Sequence, residues 1–67
     1  MQAIFRFRGA EEIVVSNHPG GVMLEILTGV SDQGDGLRHV DHNETVQFSK
    51  SEARSVASAL MGAAAEL

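Results

Sequence analysis

Residues 2–28 read QAIFRFRGAEEIVVSNHPGGVMLEILT, and the alternation inside this stretch decides the fold. Ala3, Phe5 and Phe7 alternate with Ile4, Arg6 and Arg8, which is the period-two pattern of a strand over about 2–8 with one buried face. Gly9-Ala10 then suits a two-residue type II′ turn, because Gly takes the required positive φ at little cost. A return strand over about 11–16 closes with Arg8 opposite Glu11, Arg6 opposite Ile13, Phe5 opposite Val14 and Ile4 opposite Val15. Asn17-His18-Pro19-Gly20-Gly21 concentrates turn formers. A third strand, about 22–28, comes back with Val14 opposite Leu24 and Ile13 opposite Glu25, completing an antiparallel meander.

Outward from this core, residues 29–43 turn polar and Gly-rich, and a stretch this long without a period reads as a loop or a weak hairpin. Residues 37–40 could add an edge strand that turns at Asp41-His42-Asn43, so the sheet has four strands, or five with that edge. A last strand, about 44–48, buries Val46 and Phe48. Ser49-Lys50-Ser51-Glu52 then fits a capping box, with Phe48 and Ala53 as its hydrophobic staple. Ala53, Val56, Ala57, Leu60, Ala64 and Leu67 form one stripe of an Ala-rich helix over about 50–66. That helix is expected to cover the face carrying Phe5, Phe7, Val14, Leu24 and Ile26. The chain therefore reads as a single small α+β domain over 1–67, an antiparallel meander with one C-terminal helix packed on one face. Its ending, Val46 and Phe48 followed by Glu52-Ala53, Ala57 and Leu60, resembles the strand-into-helix ending of short uncharacterised bacterial proteins. The resemblance covers the last third and implies a bacterial source, with no activity attached.

Composition narrows the function. The 67 residues are 43% hydrophobic and 21% charged, within globular usage. There is no Cys, so disulfides, thiolate metal ligands and a cysteine nucleophile are excluded. A core this small gains little net stability by itself, which makes self-association a natural supplement. The net charge of −4 is acidic and opposes duplex binding. No apolar h-region precedes Arg6 and no run approaches a membrane span, so the expectation is a cytoplasmic protein without membrane contact.

Several clusters could carry chemistry. His39, Asp41, His42 and Glu44 are metal-ligand types within six residues. On a strand, however, His39 and Asp41 face away from His42 and Glu44, so only a turn could gather three of them. Asp32-Gln33-Gly34-Asp35-Gly36 has glycines where a calcium loop needs oxygen ligands. The segment 29–34 is one residue too long for Gly-x-Ser-x-Gly, and no Gly-rich loop leads into a phosphate-binding helix. Arg6 and Arg8 interleaved with Phe5 and Phe7 are similar to a base-stacking strand, and strands followed by a helix are similar in topology to the Whirly-type single-strand binders. Parity puts the phenylalanines under the helix, though, and gives Arg8 to Glu11.

The face away from the helix then holds Ile4, Ile13, Val15, Met23 and Leu27 among Arg6, Arg8, Glu11 and Glu25. A solvated sheet face should read mainly polar, so these aliphatics suggest a surface that another copy or a protein partner covers. Its expected contact residues are Ile4, Arg6, Arg8, Ile13, Val15, Met23, Glu25 and Leu27. The alternative cover is the 29–43 loop folded back as a lid, and the small residues Ser55, Ser58, Ala59 and Gly62 offer a rival helix-pairing surface. The sequence thus predicts a non-catalytic interaction module without a cofactor, a homodimer or a protein's partner. The second reading is a single-stranded nucleic-acid binder through Arg6, Arg8 and Arg38, and the third is a small metal-dependent enzyme at residues 39–44.

Overall fold

A computed structural model describes every residue from Met1 to Leu67. The elements are β1 (Gln2–Phe7), β2 (Glu11–His18), β3 (Gly21–Thr28), β4 (Ser31–Gly34), β5 (Leu37–His39), β6 (His42–Phe48) and α1 (Lys50–Ala65). Four antiparallel strands form the main sheet in the order β1-β2-β3-β6, and β4 pairs with β5 as a separate hairpin. The α+β class, the meander and the C-terminal helix are as the sequence predicts. In the 29–43 segment the hairpin alternative forms, as β4 and β5, but neither strand extends the edge of the main sheet, and β6 begins at His42, inside the turn expected at Asp41-His42-Asn43.

Two turns set the register, and both differ from expectation by one residue. Phe7 pairs with Glu11, leaving three residues in the first turn. Arg8 (φ 48°) and Gly9 (φ 75°) are both left-handed there, and the Ala10 amide donates to the Arg8 carbonyl at 2.8 Å in a tight turn centred on Gly9. At the second turn His18 pairs with Gly21, so only Pro19-Gly20 remain in the loop, and the Gly20 amide donates to His18 Nδ1 at 3.1 Å. Gly21 carries a φ of 150°, and a Cβ there would strike the Phe48 carbonyl oxygen on the neighbouring strand.

Because side chains alternate along a strand, each slip exchanges faces. Both slips act on β2, so β1 and β3 keep their relation to each other and β2 alone turns over. Ile4 pairs with Val14, and Val14 with Glu25, so one face carries Ile4, Arg6, Glu12, Val14, Met23, Glu25 and Leu27. Phe5 pairs with Ile13, Ile13 with Ile26, and Val15 with Leu24. The opposite face therefore gathers Phe5, Phe7, Ile13, Val15, Leu24, Ile26, Val46 and Phe48.

Burial is confined to the first face. Its Val14 (6% exposed) and Leu27 (8%) are the only buried apolar residues, beside Glu12. The second face stays open, with Phe5 50% and Phe7 47% exposed and Ile26 and Val46 also exposed. Val46 is thus not buried as expected, and Phe48 is half-buried.

The helix does not cover the open face. Ser49 is the single residue between β6 and α1, and its capping box is complete: Glu52 N donates to Ser49 Oγ at 3.2 Å and Ser49 N to Glu52 Oε1 at 2.8 Å. Of the sheet, α1 touches β3 and β6 only, and no helical residue is buried. Its apolar stripe is bare, with Leu60 at 66% exposed. The molecule is accordingly open, with a Cα radius of gyration of 14.0 Å against about 11 Å for a compact chain of this length. No helix is long and apolar enough to cross a membrane.

Candidate functional site

The expected contact set divides between the two faces. Ile4, Arg6, Met23, Glu25 and Leu27 stay together, whereas Ile13 and Val15 lie on the other side and Arg8 sits in the first turn. A single surface made of all eight residues therefore does not exist. The physical reason is the odd length of the first turn and the even length of the second, which turn β2 over beneath its neighbours.

On the first face the register brings Arg6 opposite Glu12, where the sequence reading placed Ile13. Glu12 is 2% exposed, and its Oε2 takes Arg6 Nε at 3.0 Å and Arg38 Nη2 at 2.6 Å. The Arg38 hydrogen bond is the main cause holding the Glu12 carboxyl below the ordinary glutamate range, with Arg6 adding to it and desolvation opposing it. Arg38 belongs to β5, so this ion triad ties the β4–β5 hairpin to the sheet. The Val30 amide, donating to the Ala10 carbonyl at 3.0 Å, adds a second tie at the base of the hairpin. The alternative of a lid over 29–43 is not realised as a cover, since Ile4 of this face and Leu37 of the hairpin both remain exposed. Glu12 was missed because the wrong register left it without a partner. Of the two alternatives for the segment, loop or weak hairpin, the hairpin is the one that forms, turning at Asp35-Gly36, both with positive φ, the Asp-Gly pair that favours a type I′ turn.

The metal-ligand cluster does not converge. His39 Nε2 meets Asp41 Oδ1 at 2.7 Å, and His42 Nε2 separately meets Glu44 Oε1 at 3.2 Å. No group of three His, Asp or Glu side chains is placed to hold an ion. The arginines of the nucleic-acid reading are likewise dispersed. Arg6 and Arg38 share the carboxylate of Glu12, and Arg8, in the first turn, lines the groove of Phe7, Ile13 and Ile26 instead.

The second face is the larger apolar feature. Contrary to expectation Phe5 and Phe7 are uncovered there, beside Ile13 and Ile26 at the centre of the sheet. The charged residues on this face are Glu11 and Glu44, with His42 beside Glu44, and Arg8 lines the groove of Phe7, Ile13 and Ile26 at its edge. Exposed phenylalanines could stack bases, but a single Arg8 beside two glutamates is too little positive charge to hold a phosphate backbone, so the face suits an apolar protein surface better. No family model, curated protein or solved structure matches the chain, which leaves the geometry to carry the functional reading.

Proposed function

We propose that this chain is a non-catalytic assembly module whose docking element is the sheet face of Phe5, Phe7, Ile13, Leu24, Ile26 and Val46. The observation that carries the reading is the half exposure of Phe5 and Phe7 on a continuous apolar face. Large contiguous apolar patches on a folded domain mark surfaces that another molecule covers. The role is the one the sequence predicts, and the surface is the opposite side of the sheet.

Sedimentation equilibrium of the wild-type chain and of Ile26→Glu tests the proposal, with circular dichroism as the control for folding. The wild type is expected to sediment above the chain mass, and Ile26→Glu at the chain mass with its secondary structure kept. Methyl relaxation by a soluble paramagnetic probe covers the monomeric case. A monomer at hundreds of micromolar with Ile13 and Ile26 shielded would overturn the reading, because the chain would then be covering its own face. A monomer with those methyls open would keep the face as a docking surface for a different protein.

A further inference from the structure

We infer that the occupant of the open sheet face is helix α1 of a second copy of this chain, and that the exchange is reciprocal, each copy's helix lying on the other's sheet. This rests on the docking-face reading above and names its partner. Four observations lead to it.

The first is area. The chain exposes 5224 Å², whereas a folded monomer of its mass exposes about 4,100 Å². The excess of about 1,100 Å² exceeds the roughly 800 Å² that each partner contributes to a standard stable interface. The second is that two separate apolar surfaces are bare. Stacking sheet on sheet would leave Val56, Leu60 and Met61 of the helix in water, while helix on sheet covers both surfaces in one arrangement.

The third is the connection. Ser49 alone joins β6 to α1, and its side chain and amide are both held in the capping box. The Phe48 carbonyl lies against Gly21, with no room even for a Cβ. Held at this corner, α1 reaches β3 and β6 but neither β1 nor β2, which leaves Phe5 and Ile13 to a helix from another copy. With 16 residues α1 spans about 24 Å, matching the 20–27 Å run of strands of 6–8 residues. The fourth is charge. Glu11 and Glu44 lie on the face, and Lys50 and Arg54 fall on one flank of the helical stripe, so helix on sheet sets opposite signs together. Face on face would gather four glutamates with only the two Arg8 side chains to offset them.

The test uses the full chain. Equal amounts of isotope-labelled and unlabelled wild-type protein are mixed, and filtered nuclear Overhauser spectra are recorded between copies. The expected result is intermolecular contact from the Leu60 methyls to the Phe5 ring and the Ile13 methyls. A parallel sedimentation series on Leu60→Glu, a site too exposed to disturb the fold of one chain, should show the dimer dissociation constant raised about tenfold or more. A dimer whose intermolecular contacts join Phe5 to Phe5 or Ile13 to Ile13 without Leu60 would overturn the helix exchange and leave the docking face intact. A monomer with an open face would also overturn the exchange, leaving the face for another protein. A monomer with intramolecular Leu60 to Phe5 contact would overturn both.

Discussion

Glu12 is the residue on which the smaller half of the molecule hangs. One buried carboxylate oxygen holds a guanidinium from β1 and another from β5, so a single proton can loosen the hairpin from the sheet. The sign follows from the lowered pKa: unfolded Glu12 binds its proton first as pH falls, so the triad stabilises the fold above the ordinary glutamate value of about 4.3. That contribution is lost as pH drops further, through the depressed value in the fold. Amide hydrogen exchange at Val30 and Arg38 should therefore accelerate below about pH 4 while the β2–β3 amides stay protected. Glu12→Gln should show the same fast exchange at neutral pH, and unchanged exchange in that variant would mean that the triad does not hold the hairpin.

Among the elements α1 is the one most fully written in its own residues. Its start rests on Ser49 and Glu52, whose reciprocal bonds need no tertiary context, and the Ser49 amide also lowers the pKa of the Glu52 carboxyl. Ser49→Ala should cost about 1 kcal/mol, read as a lower thermal midpoint together with weaker helical dichroism. The strands are legible for the same local reason, since alternation reports that a segment has two unlike faces. Which faces coincide across a turn is another matter. Gly9 takes positive φ in a two-residue or a three-residue connection, so its identity does not count the loop, and one residue of difference moved Ile13 and Val15 to the side of the phenylalanines. That one sheet face would carry uncovered apolar side chains was therefore readable from the alternation. Its location depended on turn lengths that no local pattern encodes.

For the molecule as a whole, two buried apolar side chains are a meagre core for 67 residues. Association should then add to the stability of the folded chain, with the midpoint of thermal unfolding rising by about 5 °C for each tenfold increase in concentration once the dimer dominates. Calorimetry over a hundredfold range would check this, and a constant midpoint would mean that the isolated chain is self-sufficient. The helix touches β3 and β6 only, which the sequence could not reveal, because an apolar stripe states that a face needs a cover and is silent on whose. The three-residue corner at Arg8-Gly9-Ala10 also bears on how such a chain can change over generations. Point substitutions at Arg8 or Ala10 leave the spacing intact, but losing or gaining one codon there would roll the entire first strand about its axis and carry both aromatic rings to the side of the Glu12 carboxylate. Descendants of this gene should accordingly vary in the letters of that corner far more freely than in their number.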